Sequence, residues 1–152
     1  MKPWRPGVRG LVLDTADRVL LVHFRFEPFP WAAPGGGIEP GETDEHALRR
    51  ELAEEVGLDD FDLGPLLWKR EHEFDLGVNY RGQRERCYLV RVEPFEPAPR
   101  VDLAAEYVDE LRWWTTEELD GSDEVFAPRR LPELLRALLR DGPPAEPLTI
   151  GK

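Results

Sequence analysis

Three glutamates, Glu51, Glu54 and Glu55, stand at i, i+3 and i+4 in a stretch that carries no proline from Thr43 to Val56. At about 100° per residue they share one face of a helix. Like charges at i,i+4 cost an isolated helix roughly 0.2–0.5 kcal/mol per pair, so the cluster is mildly unfavourable by itself. A hard divalent cation reverses that sign, because Mg²⁺ is bound through carboxylate oxygens and usually brings substrate phosphates with it. Arg50 lies beside Glu51 and four residues before Glu54, where its planar fork can hold carboxylates in a ligating pose. The plain alternative for such a cluster is a solvated acidic helix face.

The elements that must position these side chains are a glycine-rich loop and the helix it feeds. Thr43 has the chemistry of an N-cap, and Asp44 and Glu45 follow in the first turn, where the helix dipole favours negative charge. Gly57 suits the position just past the C-terminus. Leu48, Leu52 and Val56 form an apolar stripe beside the acidic face and should meet the core.

The whole stretch from Gly36 to Leu58 resembles the Nudix box, G-x5-E-x7-R-E-U-x-E-E-x-G-U with U apolar. Gly36, Glu42, Arg50, Glu51, Leu52, Glu54, Glu55, Gly57 and Leu58 fill every fixed place. The resemblance implies an α/β fold, the Nudix-type α/β/α sandwich with a mixed β-sheet between helices; the pattern of elements alone gives only α+β or α/β. It implies hydrolysis of a nucleoside diphosphate linked to another moiety, dependent on Mg²⁺ or Mn²⁺. By the same resemblance Glu51, Glu54 and Glu55 are metal ligands, Glu51 is also able to act as base, and Glu42 adds an outer metal contact. The Gly35 carbonyl is a further ligand in this reading, and Arg50 orients the glutamates.

Composition fits that expectation. A chain of 152 residues, 41% hydrophobic and 34% charged, suits one compact domain, read here as residues 1–142 with a Pro/Gly-rich tail at 143–152. A net charge of −11 argues against general binding to duplex nucleic acid. An acidic protein acting on a phosphate compound also needs cations in between, so metal dependence is expected on charge grounds too. No apolar run is long enough to span a bilayer and the N-terminus has no apolar core of a signal peptide. With the lone Cys87, this points to a reducing cytoplasm; the resemblance implies a small-molecule nucleotide substrate, and a homodimer stays open.

Along the rest of the chain, Val8–Asp14 and Val19–Arg25 read as a β-hairpin, and Glu27–Pro34 as a proline- and aromatic-rich loop. Leu63–Phe74 and Arg84–Val92 read as a second hairpin, with Cys87, Leu89 and Arg91 on one face and Tyr88, Val90 and Val92 on the other. Val108–Trp113 is the last strand, Thr115 or Thr116 caps a short helix, and Pro132–Arg140 is an amphipathic helix. His23, at a strand end, reads as structural. Arg81, Arg84 and Arg86 suit phosphate, Phe74 and Tyr80 a base, and Phe26 and Phe29 a pocket rim, while Trp31 suits a core or loop anchor as well as a base, with His72 nearby. The run from Glu106 to Trp114 resembles the closing segment of Nudix domains, which implies an extra acid there, Glu106 first and Glu110 second. By the same resemblance, markers of ADP-ribose, diadenosine polyphosphate and NADH pyrophosphatases are missing downstream of the box, which weakens each of those substrates without excluding it and keeps small nucleotides, (d)NTPs and nucleotide sugars open. Two alternatives are a non-catalytic domain that senses a nucleotide-like ligand and a Nudix-like prenyl diphosphate isomerase using Cys87.

Overall fold

The computed structural model describes residues 2–73 and 79–151. In chain order its strands are β1 (Trp4–Leu13), β2 (Val19–Phe24), β3 (Trp31–Ala32), β4 (Gly35–Gly37), β5 (Leu66–Glu73), β6 (Gly82–Arg91), β7 (Val108–Trp114), β8 (Phe126–Ala127) and β9 (Leu148–Ile150). The helices are α1 (Asp44–Val56), α2 (Thr116–Asp120) and α3 (Leu131–Asp141), with a 3₁₀ turn at Leu103–Glu106. Among the described residues the strands form one mixed sheet, in the order β8-β3-β2-β1-β6-β5-β9, with β4 added to β1 and β7 to β2.

β1 organises the sheet. It pairs in parallel with β6 along its whole length, from Trp4↔Gly82 to Leu13↔Arg91. Its other edge is divided: Gly7–Arg9 face β4, and only Leu13 meets Val19 of β2. The expected β1–β2 hairpin is therefore reduced to a single pair. The glycine strand occupies that edge, and β2 turns away to pair with β7 from Val19 to Phe24. Trp31–Ala32, read as loop, pairs with β2 on one side and β8 on the other. Two residues between prolines are too short to show a period, so only their partners define them as strand.

The second hairpin is present as β5 against β6, antiparallel from Leu66↔Tyr88 to Glu73↔Gly82. Strand β5 begins at Leu66, after the Gly64-Pro65 interruption; Phe74 and the connector to Val78 lie outside the described residues. The tail does not stay apart from the sheet. Leu148–Ile150 adds an edge strand parallel to β5, and Ile150 packs against the core.

The sheet separates two apolar layers. On one face Val8, Val12, Leu20 and Val90 meet Ala47, Leu48, Leu52 and Val56 of α1. On the other, Leu11, Leu13, Leu21, Cys87 and Leu89 meet Leu119 of α2 and Leu131, Leu135 and Leu138 of α3. The alternation read along β6 holds, because period two sends neighbours to opposite layers. Each fully buried leucine or valine contributes roughly 1.5–3 kcal/mol, which is what holds α1 and its acidic face against the sheet. No described helix is long and apolar enough to cross a membrane.

Candidate active site

Helix α1 begins and ends as its sequence dictates. Thr43 caps it, its hydroxyl accepting from the His46 N–H at 3.1 Å. Gly57 takes a left-handed φ of 76°, and its N–H and that of Leu58 return to the carbonyls of Ala53 and Leu52. Between these ends the three glutamates lie at graded depth. Glu54 is 44% exposed in its side chain, Glu51 18%, and Glu55 only 5% as a residue. Glu55 reaches across to the glycine strand, where its Oε1 accepts the Gly35 N–H at 3.0 Å. A Cβ at Gly36 would stand 2.6 Å from the Glu51 carboxyl and push that carboxylate aside.

Arg50 ties this face to the loop. Its Nε and Nη2 donate to both oxygens of Glu42 at 2.9 and 2.8 Å, Nη1 to Glu51 at 3.0 Å, and Nη2 to the Gly37 carbonyl at 3.1 Å. Glu54 lies 3.7 Å from the same Nη1. Glu42, expected as an outer metal contact, gives both oxygens to Arg50 in this structure and also accepts the Glu39 N–H at 2.8 Å. The Arg50 bonds, with that from Glu39, hold the Glu42 carboxyl down to about 2.

Glu55 has the opposite electrostatics. Burial pushes its carboxyl up to about 7; Arg9 and the Gly35 N–H pull it back only in part, and Glu51 and Glu106 add repulsion. Burial also raises Glu51, against the pull of Arg50. Among the described residues no three His, Cys, Asp or Glu side chains close into a cation cage, and Arg50 Nη1 lies between Glu51 and Glu54. In kind the donors fit a hard divalent ion: clustered carboxylate oxygens, one of them desolvated with a single backbone N–H.

The model of the NUDIX domain family matches residues 3–137. The chain belongs to the Nudix family. It is 32% identical over 130 residues to the RNA pyrophosphohydrolase of Rickettsia peacockii (strain Rustic), covering 77% of this chain and 78% of that protein. Among solved structures, the MutT NUDIX hydrolase from Burkholderia pseudomallei superposes with a TM-score of 0.63 at 25% identity, covering 88% of this chain and 98% of that one. The NUDIX domain of Shewanella oneidensis NrtR, complexed with ADP ribose, gives 0.67 at 21% identity, over 91% and 90% of the two chains; it shares the fold. The observed layers are the Nudix α/β/α sandwich, and the protein is a Nudix hydrolase. Nudix enzymes generally use divalent metals and act on nucleotide substrates.

The other sequence-predicted residues divide around this Nudix site. Glu106 ends the 3₁₀ turn and its charge acts on Glu51 and Glu55, whereas Glu110 stands opposite His23 in the β2–β7 ladder. Phe26 and Phe29 are 46% exposed on the turn after β2. Both arms of the Arg86 fork hold Asp44 at 2.5 Å, and the Tyr88 hydroxyl donates to the same carboxylate, at the start of α1. Arg81 pairs with Glu73 at 2.6 Å and lies 4.7 Å over Trp4, whose ring also carries Arg84. Tyr80 is half-buried two residues ahead of β6. Trp31 is a core anchor, edge-on to Trp114.

One cluster was not read from the sequence. Arg9 donates to Glu85 and to the Ala33 carbonyl at 2.7 Å, and Arg70 donates to the other Glu85 oxygen at 2.7 Å. The available signal was alternation: Arg9 falls on the face of Leu11 and Leu13, and Glu85 on that of Cys87 and Leu89, so both are charges at inward positions.

Proposed function

We propose that this Nudix hydrolase cleaves a pyrophosphate bond in a nucleoside diphosphate linked to another moiety, with Mg²⁺ or Mn²⁺ held by Glu51, Glu54 and Glu55 and by the Gly35 carbonyl. The carrying observation is Glu55, a buried carboxylate pushed up to about 7 beside other acids. Such a group is stabilised by a cation that the chain itself does not supply. When bound, a divalent ion neutralises the diphosphate and acidifies the attacking water. Glu51 takes the proton from that water, held for the task by Arg50 at 3.0 Å. Arg50 is in turn fixed by the two oxygens of Glu42, which serves as its anchor. Glu106 is the extra acid bordering the cluster, and Phe26 and Phe29 form the rim that receives the base.

The test is release of phosphate or nucleoside monophosphate from ATP, ADP-ribose, a nucleotide sugar and a 5′-triphosphorylated oligoribonucleotide, with and without Mg²⁺. Turnover of at least one substrate only with the ion is expected, and Glu54→Gln or Glu55→Gln should lower kcat by about two orders of magnitude or more with folding intact. Unchanged turnover in both variants would remove the site assignment.

A second reading, an RNA pyrophosphate end as the substrate, is supported by the 32% identity to the RNA pyrophosphohydrolase of R. peacockii. The oligoribonucleotide in the same panel decides between the two. The isomerase alternative is weakened by Cys87, which is 2% exposed among apolar neighbours and whose thiol is pushed up by burial.

A further inference from the structure

The turn between β2 and β3 borders the site and is held by a side chain with no part in the reaction proposed above. His23, near the end of β2, has an oxygen against each ring nitrogen. Nδ1 lies 2.7 Å from Asp109 Oδ1, and Nε2 lies 3.1 Å from the carbonyl oxygen of Phe29. Carboxylate and carbonyl oxygens only accept, and a neutral imidazole carries a single N–H. Only the doubly protonated ring donates to both. The ring lies against Trp31, centroids 4.7 Å apart and planes tilted by 36°, which limits its freedom to turn away.

What His23 grips at Nε2 is a constrained piece of backbone. Phe29 has a φ of 57°, a left-handed conformation that is costly for a bulky residue and persists only where its surroundings impose it. Its N–H donates to the Phe26 carbonyl at 2.6 Å, and the Phe24 N–H closes the base of the turn on the Pro30 carbonyl at 2.9 Å. The turn then presents the Phe26 and Phe29 rings outward. Two contacts lead from its base towards the site. The Arg25 N–H donates to the Tyr107 carbonyl, next to Glu106, at 2.7 Å, and the Phe24 ring lies 5.7 Å from the Arg9 guanidinium. The charged groups around His23 are Asp109 in contact from β7, Glu110 opposite it in the ladder, and Arg25 and Glu27 on the turn itself; β3 contributes the uncharged Trp31 ring.

We propose that His23 is a positioning residue for the substrate rim: bridging Asp109 and the Phe29 carbonyl, its doubly protonated ring pins the Phe26–Phe29 turn in the conformation that receives the substrate's base. This rests on the reading of Phe29 as a substrate contact. When the ring loses a proton it keeps the charge-assisted bond to Asp109 and releases the Phe29 carbonyl, because the bond to an ionised acceptor is the stronger of the two. Substrate affinity then falls while the carboxylates of α1 are untouched.

The experiment uses the full chain from about pH 5.5 to 8.5, the span over which imidazoles change charge. Ring-nitrogen NMR should show His23 protonated at both nitrogens at the acid end, and the Phe29 amide signal should move with the loss of the second proton. With saturating Mg²⁺ and ADP-ribose or the triphosphorylated oligoribonucleotide, KM should rise about five- to tenfold through the same midpoint, the worth of one hydrogen bond, with no matching step in kcat. His23→Leu should have a raised KM that no longer changes there. Asp109→Asn, an exposed change, removes the ionised acceptor from Nδ1 and should raise KM at the acid end towards that of His23→Leu. A single neutral tautomer throughout, or a Phe29 amide indifferent to the titration, overturns the proposal. So does a KM step that persists unchanged in His23→Leu. If no member of the four-substrate panel is cleaved, the substrate reading fails by itself, and the ring and amide titrations still decide whether the bridge exists.

Discussion

Glu55 and Glu85 are two glutamates buried to nearly the same degree, 5% and 3% exposed, and they meet opposite fates. Burial drives both carboxyls upward. At Glu85 the protein answers with Arg9, His72 and Arg70 around the carboxylate, and these hold it well below the usual range. At Glu55 the answer is one backbone N–H and the more distant charge of Arg9, and the carboxyl stays at about 7. Desolvation is common to both; the supply of positive charge is what differs. Glu85 is therefore a finished structural ion pair, and Glu55 is an unfinished one, as the proposed metal site requires.

The contrast can be broken most forcefully at Glu85. Glu85→Leu leaves Arg9 and Arg70 buried without their shared counter-ion, and equilibrium unfolding should show a loss of about 3–5 kcal/mol. The same chemistry at the other site should act in reverse. In the folded, metal-free protein Glu55 binds its proton up to about pH 7, while an unfolded glutamate releases it near 4.5. The folded state thus holds more protons across that window, so stability falls as pH rises from about 4.5 to 7, by roughly 3 kcal/mol for this group. Glu55→Gln should flatten that slope and raise the melting temperature at pH 8 in chelator, and it should also lose stabilisation by added Mg²⁺. Arg50→Lys keeps the charge but not the fork; the Mg²⁺ concentration for half-activation should rise about 10–100-fold. The smallest effect is expected at Arg84, which pairs with Glu71 at 2.5 Å with both side chains about half exposed. Arg84→Ala should change stability by about 0.5 kcal/mol or less, showing that burial, more than pairing, separates the first two sites.

Helix α1, its caps and its buried stripe were legible because their signals are local: a cap and its N–H, a glycine and its turn, a period of 3.6. The same locality made the α2 cap at Thr115 and the leucine face of α3 readable. What failed was pairing over distance. The β1–β2 hairpin gave way because the edge of β1 is taken by the glycines at 35–37 and the β6 partner begins at Gly82, neither visible from the turn at 14–18. The partner of Arg86 was equally out of reach, since its fork holds Asp44, 42 residues earlier. Residue type tells what a side chain can hold, not which neighbour reaches it first. At the site, sequence alone placed Glu51, Glu54 and Glu55 on one face and could not rank them by depth, which the approach of the glycine strand decides.

Strand β9 gives the last stretch of the chain a task far from any chemistry. Leu148–Ile150 covers the outer edge of β5, and Gly151 offers its carbonyl to Arg70 Nε at 3.2 Å. A version trimmed after Gly142 would retain every acidic side chain of α1, but the naked rim of the sheet would be open to other molecules and prone to clumping. Shortening the protein for convenience would trade solubility for nothing in activity.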